Sequence, residues 1–350
     1  MKPSTNLMLI SAFALLASCQ VEQTPSARTF PDAPRELFIL NSLAETISVY
    51  DADSGTVHND AVTTGSWPND ILYREGKLYV VNSGDNSVWA YDESTLEKTG
   101  EIYLGKNRNP WTIIPSGDTQ KAYVPNWVSG SVSVVDLATL TLTDEIEGIG
   151  TGPEGGCFAN GKIYICCTGY ASEGFGEGSV AVIDVTTDTV VARIPTGTGT
   201  NPQTAVAVPG SNTVHVFLSG PLGAGAGAVL VIDTVTDTAA GGTAPSLVTG
   251  GEPSADAQSL DESAGIAYLA GNGAVIAYDY ETLTISAGYD NPVYGTGNPM
   301  NSYSDTVYNN GMLYVADFNA DSLAVIDLST GGVTTIEGSD GPQELVFTEE

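Results

Sequence analysis

The chain has 350 residues, of which 11 are Lys or Arg and 42 are Asp or Glu, so its formal net charge is −31. This balance excludes a nucleic-acid-binding protein, because neutralising phosphates requires many basic side chains. The 42% hydrophobic content suffices for a folded core, and 40 Gly with 18 Pro favour short strands joined by turns over long helices.

The chain begins with the layout of a secretory signal peptide: Lys2 precedes an apolar run over residues 7–16, and small residues follow. The ending LASC at residues 16–19 resembles a bacterial lipobox, which implies that residues 1–18 are removed and Cys19 is lipidated. An ordinary signal peptide with an incidental cysteine is the alternative. The resemblance also implies that Gln20, which is not Asp, permits sorting to a Gram-negative outer membrane.

The segments after the signal peptide divide into a tether and a folded domain. Residues 19–34 are polar and contain three prolines, which predicts a flexible tether. The domain spans residues 35–350, and no later apolar run is long enough to cross a membrane. We therefore expect a monomer in the bacterial cell envelope, held on either face of the outer membrane by its lipid alone.

From residue 35 onward one pattern repeats: an apolar strand, a loop, a second strand that ends in Asp, a turn and a third strand. Copies read KLYVVNSGDNSVWAYD at residues 77–92, KAYVPNWVSGSVSVVD at 121–136 and MLYVADFNADSLAVID at 312–327. The terminal aspartates recur seven times, at Asp51, Asp92, Asp136, Asp184, Asp233, Asp279 and Asp327. A proline precedes a fourth strand equally often, at Pro68, Pro110, Pro153, Pro202, Pro253, Pro299 and Pro342.

Units of four short strands repeated every ~45 residues are typical of β-propeller blades. The first unit lacks its proline strand, whereas the last proline strand, PQELVF at residues 342–347, has no unit after it. We therefore predict an all-β, seven-bladed β-propeller that is closed by the C-terminal strand joining the N-terminal blade. The Asp-containing turns are expected to be structural and to lie on the bottom face.

The strand sequences YVVN, YVPN and YVAD resemble the YVTN-type repeats of YncE-like seven-bladed propellers over residues 35–347. The resemblance implies the same fold, an extracytoplasmic location and a binding or scaffolding role more than a reaction. Blade four departs from the pattern at Cys166 and Cys167, and blade six is shortened.

The residues after each proline should ring the mouth of the central channel on the top face, where the copies differ from one another. The candidate ligand-binding residues are Asp70, Trp111, Trp127, Glu154, Gln203, Asp256, Asn301, Tyr303 and Glu344. Aromatic rings beside carboxylates and amides suit a protein segment, a peptide or a glycan. Alternatively, the tryptophans wedge between blades and the polar ring holds only water.

Two bases, Lys106 and Arg108, lie near Trp111 and are candidate contacts for a ligand carboxylate, with solvated surface charge as the alternative. No Lys or Arg occurs after Arg193, although that stretch carries 18 Asp and Glu. Blades five to seven therefore form an acidic arc that attracts cations.

Catalytic motifs are scarce, and the two histidines, His58 and His215, have no partners arranged for nucleophilic catalysis. The sequence predicts a non-catalytic binding module. The alternative is a lactonase-type hydrolase that binds calcium, which would require the carboxylates of the candidate ring and Asn301 to converge.

The remaining cysteines predict a disulfide in blade four. An Asn160-Gly161 turn places Cys157 diagonal to Cys166, and the two could form a disulfide.

Overall fold

The computed structural model describes residues 36–117, 119–221 and 223–348, without the side chains of residues 255–257. Over this part the chain is an all-β, seven-bladed propeller, as predicted. The signal peptide, Cys19 and the tether lie outside the described residues.

Blades one to three contain strands of mostly six residues in antiparallel order. Their strands in chain order are β1 (Glu36–Asn41), β2 (Thr46–Asp51), β3 (Thr56–Thr63), β4 (Pro68–Arg74), β5 (Lys77–Asn82), β6 (Ser87–Asp92), β7 (Lys98–Tyr103), β8 (Ile114–Pro115), β9 (Lys121–Asn126), β10 (Ser131–Asp136) and β11 (Thr141–Ile146).

Blades four and five follow the same order but carry extra short strands. They consist of β12 (Pro153–Ala159), β13 (Lys162–Cys167), β14 (Tyr170–Ala171), β15 (Gly174–Phe175), β16 (Glu177–Asp184), β17 (Thr189–Thr198), β18 (Pro202–Ala207), β19 (Thr213–Leu218), β20 (Ala228–Asp233), β21 (Thr238–Ala239) and β22 (Leu247–Val248). The β14–β15 hairpin stands apart from its blade as a separate two-stranded sheet.

Blades six and seven complete the ring, with one 3₁₀ turn at Phe318–Ala320. Their strands and the closing strand are β23 (Pro253–Asp261), β24 (Ile266–Gly271), β25 (Ala274–Asp279), β26 (Thr284–Ala287), β27 (Tyr294–Gly295), β28 (Tyr303–Asn309), β29 (Met312–Asp317), β30 (Ser322–Asp327), β31 (Gly332–Glu337) and β32 (Pro342–Phe347).

The closing strand β32 forms the innermost strand of blade one, in the order β3-β2-β1-β32. It pairs antiparallel with β1, with Leu37 opposite Phe347 and Leu40 opposite Glu344. The predicted closure is therefore confirmed, and both edges of β1 are paired within the blade.

The core consists of apolar clusters between blades, since the faces of each blade pack against its neighbours. Among the described residues there are seven such clusters, one at each junction of the ring. The cluster at the closure joins Leu37, Ile39 and Leu345 of blade one to Tyr314 and Leu323 of blade seven. Burying each such side chain stabilises the fold by about 1.5–3 kcal/mol.

The Asp-containing turns are structural, as predicted. In Asp184 one carboxylate oxygen accepts the backbone N–H groups of Thr186 and Thr187 at 2.8 and 3.0 Å. These donors hold the pKa of Asp184 below its usual value. Equivalent bonds at Asp51 and Asp233 show that the repeated Asp stabilises a turn at the bottom of each blade.

The predicted disulfide between Cys157 and Cys166 is wrong. Cys157 does lie opposite Tyr164 and diagonal to Cys166, but no disulfide joins any two of Cys157, Cys166 and Cys167 in the described part of the chain. Diagonal neighbours in antiparallel strands stand ~7–8 Å apart, which exceeds the Cα separation that a disulfide bridges. Burial instead places Cys166 and Cys157 in the core between blades four and five.

Deletion of residues 342–350 is expected to abolish cooperative thermal unfolding, because it exposes the edge of β1 and uncovers the closure cluster. Differential scanning calorimetry measures the effect. The matched control is Gln343→Ala, which changes a side chain of β32 but keeps the strand. An unchanged melting temperature in the truncated protein would contradict the closure.

Candidate functional site

A repeated β-bulge shapes the inner strands where they begin at the top face. Pro68 lies opposite Asn82 and Asp70 lies opposite Val81, so Asn69 is an extra residue. Similar register shifts occur near the start of β12, β18, β23, β28 and β32. A bulge redirects side chains, and here consecutive residues of the inner strands line two separate cavities.

The upper cavity, which we call the channel mouth, has a volume of about 270 Å³. Most of its wall consists of amide, hydroxyl and aromatic groups. Its lining includes Trp111, Gln203, Glu252, Ser254, Asn272, Ser304, Phe318 and Gln343. Trp111, Gln203, Ser254 and Gln343 each follow a proline of the repeat, so the structure brings together side chains from blades three, five, six and one.

The lower cavity, which we call the channel cavity, has a volume of about 200 Å³ and contains Asp70, Asp305 and Glu344. The Asp70 carboxylate accepts the backbone N–H of Ile113 at 2.7 Å, which links blade two to blade three. The Asp305 carboxylate accepts the N–H of Leu345 at 2.8 Å, which links blade seven to the closing strand. These carboxyl groups therefore join neighbouring blades at the centre of the ring.

Burial dominates the electrostatics of these carboxyl groups. Loss of hydration raises the pKa of Asp70 to about 6, against the opposing effect of its backbone hydrogen bonds. Loss of hydration also raises the pKa of Asp305 to about 8, and the nearby Asp70 adds to the rise. Both acids thus retain protons at higher pH than exposed aspartates do.

Four aromatic side chains form a continuous row on the top face, which we call the aromatic row: Trp111, Trp127, Tyr170 and Phe175. Successive ring centroids are 6.5, 5.8 and 5.0 Å apart. The row runs from the channel mouth to the β14–β15 hairpin of blade four. The indole N–H of Trp127 donates to the carboxylate of Glu154 at 3.1 Å, which fixes the ring.

A groove of about 410 Å³ lies beside the row, and Trp127 and Tyr170 both contribute to its lining. Its floor includes Gly152, which has a φ of +60°. A Cβ at this position would stand 2.4 Å from the hydroxyl of Thr168 and 3.1 Å from the indole nitrogen of Trp127. Glycine is therefore needed to keep both the left-handed backbone and the position of Trp127.

Large apolar side chains are also exposed in the loops of the top face. Trp67 is 67% exposed, Tyr170 41% and Met300 76%. Soluble proteins expose isolated apolar residues routinely, but here Trp67 and Met300 lie in loops of the same face as the aromatic row, to which Tyr170 belongs. The top face therefore has the character of a contact surface.

Arg108 does not remain available as an anion contact, contrary to the prediction. Its guanidinium lies 3.1 Å from the carboxylate of Glu145 and 3.9 Å from that of Glu147. It also donates to the backbone oxygen of Leu104. The acidic pair neutralises Arg108 within the fold, whereas Lys106 is an exposed surface residue.

Tyr303 is a core residue, so its prediction as a ligand-binding residue is wrong. It is 2% exposed and its ring lies 5.2 Å from that of Tyr294. Asn301 donates to the Tyr303 hydroxyl at 3.2 Å and positions it. The cause of the error is local: blade seven begins its inner strand at Tyr303, and Pro299 lies in the loop before it.

The candidate calcium ligands do not meet at one point. Asp70 and Glu344 share the channel cavity, but Glu154 binds Trp127 on the top face and Asn301 binds Tyr303. The side chain of Asp256 lies outside the described part. Within the described residues, no group of three or more His, Cys, Asp and Glu side chains could hold a metal ion.

Asp305 was not identified from the sequence, because the repeat predicts that the inner strand of blade seven starts at Pro299, whereas that strand starts at Tyr303. The available signal was spacing: Asp70 precedes Tyr79 by nine residues, and Asp305 precedes Tyr314 by the same number. Aligning the blades on the YVxN-type strand would have placed Asp305 beside Asp70 and Glu344.

His215 has a structural environment. It is 2% exposed, and its ring nitrogen Nδ1 lies 3.0 Å from the hydroxyl of Tyr278 in the next blade. Burial lowers the pKa of His215 to about 4, so the ring is neutral at physiological pH.

In the described ranges, no helix has the length and apolar character needed to cross a membrane.

Comparisons with known proteins agree on the fold and on nothing finer. No family model matches the sequence, and no curated protein matches it. A solved protein from Lactobacillus plantarum is 20% identical with a TM-score of 0.67, covering 90% of this chain and 99% of that one. Hydrazine synthase from Kuenenia stuttgartiensis is 18% identical with a TM-score of 0.66, over 87% of this chain and 92% of that one.

A third solved structure, a dihydro-heme d1 dehydrogenase in complex with DHE, is 15% identical with a TM-score of 0.60. It aligns over 92% of this chain and 77% of its own. At these identities the likeness establishes a shared propeller architecture, whereas activity depends on the residues of each site.

The channel carboxyl groups predict a pH-dependent stability. Because Asp70 and Asp305 have raised pKa values in the folded state, their contribution is complete below about pH 4 and is lost as the pH rises to about 8. Asp305→Asn should lower stability by about 1 kcal/mol through a lost hydrogen bond but flatten this slope. Urea unfolding between pH 4 and pH 8 measures both effects.

The control for this experiment is Glu281→Gln, which changes an exposed acid on a bottom turn and should leave the slope unaltered. An equal slope in the wild-type protein and the Asp305→Asn variant would show that Asp305 does not hold its proton across this range.

Proposed function

We propose that this chain is a non-catalytic binding module of the bacterial cell envelope, which captures a glycan, peptide or protein segment on its top face. The observation that carries the proposal is the aromatic row, which joins the channel mouth to the groove beside Tyr170. Aromatic rings bordered by amides and carboxylates provide apolar contact area together with hydrogen bonds.

Three features support the proposal that the aromatic row serves binding more than packing. Its members lie in top-face loops and the β14–β15 hairpin, and Tyr170 is 41% exposed. In contrast, the tyrosines that pack between blades, such as Tyr123 and Tyr278, are fully buried. The groove and the channel mouth adjoin the row, so an extended ligand would contact all three.

The direction of the first strand suits attachment to a membrane from the opposite side. Strand β1 enters at Glu36 on the bottom face and runs toward Asn41 at the top, since it is antiparallel to β32. A tether over residues 19–34, anchored by a lipid on Cys19, would therefore leave the aromatic row facing away from the membrane. We propose this arrangement for the mature protein, as a monomer in the outer membrane.

The calcium-dependent hydrolase has less support than the binding module. Among the described residues, the carboxylates named for that activity are divided between the channel cavity and the top face. The structural likeness to the two enzymes supports a shared architecture and does not favour a reaction for this chain.

Substitution of Trp127 or Tyr170 by alanine should weaken ligand capture by at least tenfold, because removing an aromatic anchor from an interface costs about 2 kcal/mol or more. Binding of the detergent-solubilised full chain to glycan and peptide arrays identifies the ligand, and titration calorimetry then measures its affinity.

Trp67→Ala is the matched control, because Trp67 is exposed on the same face but lies outside the aromatic row. It should bind like the wild type. Equal weakening in Trp67→Ala, or full binding by Tyr170→Ala with an unchanged melting temperature, would contradict the proposed site.

Cys19→Ser should prevent lipidation and shift the protein out of the outer-membrane fraction. Metabolic labelling with radioactive palmitate, followed by membrane fractionation, tests this expectation. The control is Cys167→Ser, which alters a buried thiol of the domain. Label that persists in the Cys19→Ser variant would exclude Cys19 as the anchor.

A further inference from the structure

The channel mouth has a size and lining that fit one small polar group. Its volume of about 270 Å³ is near the lower end of the range for small-molecule pockets. Gln203 of blade five, Ser254 and Asn272 of blade six and Gln343 of blade one supply amides and a hydroxyl. Such convergent donors and acceptors, beside the ring of Trp111, match the alternating hydroxyls and apolar face of a pyranose sugar.

The charged groups at the mouth and below it have a single sign. The charged residue that lines the mouth is Glu252. The charged residues that line the channel cavity are Asp70, Asp305 and Glu344. The remaining lining residues of the channel cavity are uncharged. The acidic arc of blades five to seven adds to this potential, so cations are attracted and anions repelled.

Hydrogen-bond acceptors are also directed toward the channel. The Glu252 carboxylate accepts the Asn272 amide at 3.1 Å, which holds it at the mouth. In the channel cavity, the amide oxygen Oε1 of Gln258 is buried and has no hydrogen-bond partner among the described residues. An ammonium group has three N–H donors and no acceptor, and it therefore complements this set.

We propose that the channel mouth binds an amino sugar, with its pyranose ring beside Trp111 and its primary ammonium group toward Glu252 and the channel. This assignment rests on the proposed function, since it names the ligand class of the same face. The aromatic row then supplies subsites for further sugars of the same oligosaccharide. The polar wall of the mouth favours a sugar over the long apolar stem of a lysine side chain.

An entering ammonium group would also relieve the cost of burying the channel carboxyl groups. Burial raises the pKa of Asp70 and of Asp305, and a nearby positive charge favours the ionised form. Asp70, Asp305 and Glu344 are the titratable groups that line this cavity, from β4, β28 and β32. Three adjacent blades thus place acidic groups in the channel cavity below the mouth that the ligand would enter.

Titration calorimetry of the full chain in detergent tests the proposal with a tetramer of β-1,4-linked glucosamine and with its N-acetylated counterpart. The two differ in charge but share the sugar ring. The glucosamine tetramer should bind at least tenfold more tightly at pH 6, and Glu252→Gln should remove most of that difference. Glu281→Gln, on a bottom turn, is the matched control and should preserve it.

Each contrary outcome has a distinct meaning. Equal affinity for the two tetramers, or tighter binding of a lysine pentamer, overturns the amino-sugar assignment. An unchanged preference in Glu252→Gln with a wild-type melting temperature overturns the role of Glu252. If neither tetramer binds while an array ligand is captured in a Trp127-dependent manner, this inference fails and the proposed function stands.

Discussion

The structure depends on the packing of each blade between two others, which requires the ring to be closed. A four-stranded sheet of this length exposes two apolar faces, and only neighbours on both sides can cover them. Strand β32 provides the final neighbour contact, because Leu345 joins the cluster formed by Leu37 and Tyr314. The channel mouth and the channel cavity are positioned by this closure, since the channel exists only inside a complete ring.

The sequence predicted the repeating parts of the fold well, because equal residues recur in equal environments. Asp184 and Asp233 cap their turns as expected, and Leu37 pairs with the C-terminal strand. The failures occurred where one copy differs from the rest. In blade seven Tyr303 takes the place of the proline at the start of the inner strand. In blade four Cys157 and Cys166 share a face but, as diagonal neighbours, are too far apart for a disulfide.

The candidate site was predicted only in part, because residue spacing does not reveal a bulge. The residues after each proline were expected to form one ring, whereas the bulges divide them between the channel mouth and the channel cavity. Gln203 therefore lines the mouth, and Asp70 binds a backbone N–H in the channel. Likewise, the ion pair of Arg108 with Glu145 depends on strands brought together by folding.

The residues that stabilise the ring and the residues proposed to bind a ligand lie in different parts of the propeller. The buried carboxyl groups of Asp70 and Asp305 bind the backbone of adjacent blades, so their substitution changes the ring itself. The aromatic row lies in the loops and the β14–β15 hairpin above these strands, where Tyr170 is exposed without removing apolar contacts from the core. A propeller can therefore vary its top-face residues to suit a ligand while the inner strands preserve the closed ring, and the unequal residues at equivalent positions of this chain follow that logic.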